Sequence, residues 1–310
     1  MTKEIIHKMN SPFRDTFKIH GYRFGEGEKS IAIVGAMRGD EIQQQYICSQ
    51  LVRKLSILEQ QGKLLPDHEI LIIPSANPFS MNIGKRFWAM DNTDINRMFP
   101  GYDAGETTQR IAAALFKALK GYKYGIQMAS FYLPVDFVPH VRMSHTGYED
   151  VDTATLFGLP YIYLHEPLPY DTTLLNYNWQ IWETKAFSLY GGKDDEVGSS
   201  SCKYLIETVL RFMKRTGVIK HSLSSQPDYN SIVKNEEDII SVKSPTAGMI
   251  NKVHHVNEEV VKGDVLARII DPYEGGVISE IISPVDGIIF SEHNKPLALQ
   301  NTTLFNIVEC

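Results

Sequence analysis

The first two thirds of the chain alternate short apolar runs with longer stretches whose apolar positions recur at helical spacing. Residues 30–35 (SIAIVG) have the length of a buried strand and end on glycine. From Asp40 to about Gln61 the apolar residues Ile42, Tyr46, Ile47, Leu51, Leu55 and Leu58 mark one face of a predicted helix. Gly62 stops that helix, and Pro66-Asp67 turns the chain into a second strand at 69–74. Residues 107–119, punctuated by Gly121, form a second predicted helix. Residues 200–215 form a third, with Leu205, Val209, Phe212 and Met213 inward and Ser199–Ser201 supplying its N-cap. This alternation predicts an α/β fold: a mixed, mostly parallel sheet flanked by helices. Ligands of such sheets bind beyond the carboxyl ends of the strands, so chemistry is expected in the loops after Val34 and Pro74.

Beyond residue 220 the periodicity stops. The polar stretch 221–237 is expected to be a linker between an α/β domain (1–220) and an all-β domain (238–310). The second part contains a repeat: Ser244-Pro-Thr-Ala-Gly-Met-Ile250 is echoed by Ser283-Pro-Val-Asp-Gly-Ile-Ile289. Gly263-Asp264 suits a tight turn between strands. The duplicated strand–turn–strand unit resembles the barrel-sandwich domain of biotinyl and lipoyl carriers. Its joining segment, residues 271–276, has no lysine, which argues against a carrier role.

The 310 residues carry a formal net charge of −6, with both signs interspersed, so a nucleic-acid partner is not expected. No apolar run is long enough to span a bilayer, and the first residues lack the apolar core of a signal segment, so neither membrane association nor export is expected. Cys48, Cys202 and Cys310 are scattered and odd in number, which points to a reducing cytoplasm. The chain has no GxxxxGK[ST] loop, no GxGxxG after a strand and no GxSxG elbow.

Three segments carry candidate chemistry: 35–41 (GAMRGDE); 77–101, including Asn96-Arg97; and 126–130 followed by Pro139-His-Val-Arg142. An Asn-Arg pair offers a fork of donors suited to a carboxylate, although Arg97 could instead form a structural ion pair with Asp94. In order and content these segments resemble the succinylglutamate desuccinylase/aspartoacylase family, built on the zinc-carboxypeptidase fold. The stretch DINRMFPG at 94–101 is the most specific signal. In active members the resemblance implies zinc held by an HGxE loop and a DxH strand end, with a glutamate base in a later TxExG segment. Such a site leaves a position open for water, which the metal activates.

Carried over residue by residue, most of that set is absent. HGxE aligns with Arg38-Gly39-Asp40-Glu41, DxH with Gln127-Met128-Ala129, and TxExG with Ser188-Leu189-Tyr190-Gly191-Gly192. Glu41 alone survives as a ligand position, and Tyr190 stands where the base would be. A guanidinium offers no lone pair to a metal, so Arg38 is expected to pair with Glu41 in the metal's place. No cofactor is therefore expected.

Three readings follow. In the first, the protein binds a carboxylate-bearing N-acyl amino acid or short peptide through Arg38, Asn96, Arg97, Gln127 and Arg142, with hydrolysis lost or altered. It would then act as a pseudoenzyme, with a second copy or an active paralogue as possible partner. In the second it remains an amide hydrolase, with zinc held by Glu41 and His140 or His145, or with a metal-free route through Glu41 or Tyr190. In the third the C-terminal domain is an interaction module. The histidine pair His254-His255 makes a poor chelate, and the aromatic residues Tyr177, Trp179, Trp182 and Phe187 read better as core than as pocket.

Overall fold

The run at 31–34 is apolar at every position, on both sides of a strand, which requires cover on both faces. In the computed structural model, which describes residues 1–12, 15–193, 196–220 and 226–309, it has that cover. Ile31 and Ile33 enter one core and Ala32 and Val34 the other. Strands run β1 (Thr2–Met9), β2 (Phe17–Phe24), β3 (Glu28–Ala36), β4 (His68–Ser75), β5 (Tyr124–Met128), β6 (Val135–Ser144), β7 (Tyr161–His165), β8 (Lys185–Gly192) and β9 (Ile232–Lys234). They continue as β10 (Ile239–Lys243), β11 (Gly248–Lys252), β12 (Glu259–Val260), β13 (Val265–Ile270), β14 (Val277–Ile282), β15 (Gly287–His293), β16 (Leu297–Ala298) and β17 (Thr303–Glu309). The helices are α1 (Ile42–Gln60), α2 (Pro78–Met81), α3 (Thr107–Leu119), α4 (Val151–Ala154), α5 (Leu175–Ile181) and α6 (Ser200–Arg215).

The result is a mixed α/β fold. Strands β4-β3-β5-β8 are parallel and central, with β2 and β6 antiparallel at their flanks. Helices α1 and α6 cover one face; α3 and Trp179 of α5 cover the other. Trp179 lies flat enough on β5 that a Cβ on Gly125 would stand 2.7 Å from its indole, so a glycine is required there. Trp179 and Phe187 belong to opposite cores, while Trp182 is exposed and Tyr177 half-buried. That cluster is packing rather than a pocket wall. The caps behave as their residue types dictate: the Ser199 hydroxyl accepts from the Cys202 amide at 3.3 Å.

Two expectations need correction. The inward face of α1 does not begin at Ile42, which is exposed, but at Gln43 and Gln44, which are buried. The Gln44 amide donates to the Ala129 carbonyl at 3.2 Å, because the first turn of α1 abuts the polar end of β5 rather than its apolar middle. The linker also divides. Residues 221–225 lie outside the described residues, but 232–234 form β9, parallel to β7. Before β9 the chain is tethered by Arg211 of α6, which is buried and donates to the carbonyls of Gln226 and Pro227.

The C-terminal strands are not a detached unit. β15 pairs with β6 (Ser291↔Phe137, Glu292↔Asp136), so β17 and β10 extend the main sheet, which has 13 strands. A second sheet, β14-β13-β11-β16, closes over them around Leu266, Ile269, Ile289, Phe305 and Ile307. The sequence repeat is a structural one. The Ser244 hydroxyl donates to the Thr246 carbonyl at 2.6 Å and that of Ser283 to the Val285 carbonyl at 2.7 Å. Among the described residues no helix is long and apolar enough to cross a membrane.

Candidate functional site

The three segments meet where the parallel strands end. The loop after β3 is pinned to the segment after α2 by the Gly39 amide, which donates to the Arg86 carbonyl at 2.8 Å. A Cβ on Gly39 would lie 2.1 Å from the Lys85 carbonyl oxygen, so only glycine permits this approach. Arg86 ties all three together, donating to Asp40 at 2.7 Å and to the Phe131 carbonyl at 2.8 Å.

At their junction lies a charged cluster. Glu41, 1% exposed, accepts the amides of Met37 (2.7 Å) and Arg38 (2.9 Å) on one oxygen. Its other oxygen accepts Arg38 Nη1 at 3.0 Å and the Ser130 hydroxyl. Asp94 takes the opposite side of the guanidinium, Nε at 3.1 Å and Nη2 at 2.9 Å. Burial by itself would lower the Arg38 pKa, but Glu41 and Asp94 outweigh it and hold the guanidinium above its ordinary value. Asp94 therefore pairs with Arg38, not with Arg97. Arg97 instead donates to the Tyr170 carbonyl at 3.1 Å, lies over the Tyr170 ring and stands 3.7 Å from Asp171. Asp94 also caps the short helical turn Ile95–Arg97, its side chain accepting from the Asn96 amide, and this turn carries Asn96 and Arg97 to the site.

Beside the cluster opens a cavity of about 370 Å³. Arg38, Asn96, Arg97, Gln127, Arg142 and Tyr190 all border it, but Glu41 does not. Gln127 reaches Asn96 at 3.4 Å. Of the histidines weighed as metal ligands, His140 borders the cavity and His145 does not, being exposed and paired with Glu149 at 2.8 Å. Neither joins Glu41 in a three-donor group: among the described residues no group of three or more His, Cys, Asp and Glu is placed to hold a metal. His254 and His255 have separate carboxylate partners, Glu258 and Glu292.

Several contributors escaped the sequence reading. Ser130 lies within the segment 126–130, but its bond to Glu41 bridges 89 positions. Asn176 borders the cavity, buried, with neither its oxygen nor its nitrogen hydrogen-bonded among the described residues. Phe137, Tyr163 and Phe290 face the cavity as a ring wall that no local pattern signals. Two buried histidines stand with them. Burial, then the nearby Arg142 charge, pushes His140 down to about 3, despite its bond to the Val138 carbonyl. The same causes push His165 down to about 4.

Comparison with known proteins shows the family and the fold. Residues 27–213 match the family described as succinylglutamate desuccinylase/aspartoacylase catalytic domain. The chain is 25% identical over 261 residues, 80% of this chain and 72% of the relative, to an N-alpha-acetyl-L-2,4-diaminobutyric acid deacetylase from Halomonas elongata. Its fold is similar to that of a succinylglutamate desuccinylase from a Silicibacter species, with a TM-score of 0.82 and 18% identity, covering 99% of this chain and 95% of that one. It is also similar to the ectoine utilization protein EutE (DoeB) from Ruegeria pomeroyi in a product-bound structure (TM-score 0.78, 19% identity, 95% and 90% coverage).

Two outcomes are expected from this geometry. Replacing Arg38 by leucine leaves Glu41 and Asp94 buried without their counter-charge and should cost about 3–5 kcal/mol in denaturant unfolding. A loss below about 1 kcal/mol, the range of an exposed ion pair, would contradict the clamp. His140 and His165 have native pKa values below that of the unfolded chain. Their contribution is present above about 6.5 and is lost as pH falls toward 3–4. Each should cost about 2 kcal/mol by pH 5, and His140→Phe should remove its share of that acid slope in urea titrations.

Proposed function

The chain belongs to the succinylglutamate desuccinylase/aspartoacylase family, and from that premise we propose that it binds a carboxylate-bearing N-acyl amino acid or peptide-like ligand without the family's zinc-dependent hydrolysis. The observation that carries this reading is the saturation of Glu41. Its two oxygens accept four donors, one of them the Arg38 guanidinium, so it has no free lone-pair direction to offer a cation. A zinc site needs three protein donors and an open position. Here the positions aligned with the other ligands are Arg38, which cannot coordinate, and Ala129, whose side chain has no donor atom, while Gln127, at the position of the supporting Asp, is hydrogen-bonded to Asn96. The donor set does not fit the metal.

The rest of the cavity favours an anionic amide. Arg142 is half-buried and has no carboxylate partner among the described residues, and Arg97 is held only loosely by Asp171. Leaving the buried Asn176 amide unpaired costs about 1–3 kcal/mol, and a ligand amide supplies both a donor and an acceptor to match it. The C-terminal strands, which we read as the barrel-sandwich unit, close this cavity from one side through Ser241, Phe290 and Asn306.

The deacetylase relative supports a second reading, an amide hydrolase, which with these residues would have to work without metal. Arg38 and Arg97 would stabilise the developing oxyanion and Tyr190 would move the proton. One titration separates the two. N-acetylglycine should raise the melting temperature, and Arg97→Ala should weaken its binding about tenfold or more, in line with the 1.5–3 kcal/mol of a hydrogen bond to a charged group. Proton NMR of the same sample should show the acetyl signal staying with the amide. Free acetate accumulating after chelator treatment would favour the hydrolase; no thermal shift at any concentration would remove the binding reading.

A further inference from the structure

The cavity has two chemically different ends. Asn96, Arg97 and Gln127 form one. Rings form the other: Phe137, His140, Tyr163, Tyr190 and Phe290. His140 lies parallel to Tyr190 at 5.2 Å and tilted against Phe290 at 4.7 Å. Phe137 stands 5.9 Å from Tyr190 and 6.0 Å from Phe290. Phe290 belongs to β15 and comes from a part of the chain 150 residues beyond His140. The register that pairs Ser291 with Phe137 places Phe290 next to this wall. Arg142 stands among the rings, its guanidinium 5.3 Å from the Tyr163 ring, 5.9 Å from Phe131 and 6.0 Å from Tyr190.

We infer that the ring-lined end receives an aromatic group on the ligand's acyl portion, with the ligand carboxylate held by Arg97 and Arg142, and that Phe290 makes the C-terminal strands part of the specificity of the site. The inference rests on the anionic-ligand reading above and names the class of ligand. Aromatic walls attract either cations or other rings. Here the cation is already supplied, because Arg142 occupies ring faces on this side, and a second positive group beside it would meet like charge. The acids that border the cavity with no ion pair among the described residues, Glu166 and Glu236, are exposed to solvent. A neutral ring suits the wall and stacks against the guanidinium. The cavity, at about 370 Å³, falls within the ~300–1,000 Å³ of ordinary small-molecule sites, and a bare acetyl group would leave the ring-lined end unfilled.

The test compares two ligands that share carboxylate and amide and differ only in methyl against phenyl: N-acetylglycine and N-benzoylglycine. By calorimetry on the full chain, N-benzoylglycine should bind about tenfold tighter or better. Phe290→Leu, which keeps apolar volume in the core, should remove most of that advantage, read as the ratio of the two affinities. The wild-type comparison stands without the variant, so a folding defect in Phe290→Leu does not decide the matter. Equal affinity for both ligands in the wild-type chain would overturn the aromatic assignment and leave the anionic-ligand reading in place. If neither ligand bound, the assignment and the reading beneath it would fall together.

Discussion

A guanidinium held between two buried carboxylates organises this site. Arg38 bridges Glu41 on the loop after β3 and Asp94 on the turn before Asn96 and Arg97. Each of the three would be costly to bury alone, and each is made tolerable by the others and by backbone amides. Because Glu41 belongs to the first segment and Asp94 to the second, the ion pairs also fix the distance between them. Ser130 adds the third segment through Glu41, and Arg86 repeats the tie from the outer side. The pocket is thereby shaped by a charged corner, and Arg97 and Arg142 are the cations that border it outside that corner among the described residues.

That corner explains the division of labour along the chain. The parallel strands deliver the three segments to one edge of the sheet, as their apolar patterning requires. The C-terminal strands complete the opposite wall because β15 continues the same sheet through β6. Coupling of the two parts through backbone pairing gives Phe290 a fixed position relative to His140 and Tyr190. Neutral histidines fit that environment, since a protonated ring would sit next to Arg142 without solvent to screen it.

Much of this was legible in the sequence. Strand and helix alternation, the caps at Ser199 and the repeat at Ser244 and Ser283 are local patterns, and local patterns survive into the fold. The family resemblance rested on short segments whose spacing is equally local, and the Arg38–Glu41 pair lies within one of them. What was not legible depends on contacts far apart in the chain. Asp94 could have paired with Arg97, three positions away, yet the fold presents it to Arg38, 56 positions away. Ile42 reads as core by periodicity, yet the helix is turned so that Gln44 meets the end of β5. The ring wall joins residues from four strands, and the supposed linker holds a strand because β7 offered an open edge.

The most direct measurement of the central claim is an anomalous difference map at the zinc absorption edge, from crystals grown with zinc in the drop. No peak is expected between Arg38, Glu41 and His140, with the guanidinium and both carboxylates in place. A peak bonded to a Glu41 oxygen, with Arg38 swung out of the corner, would contradict it.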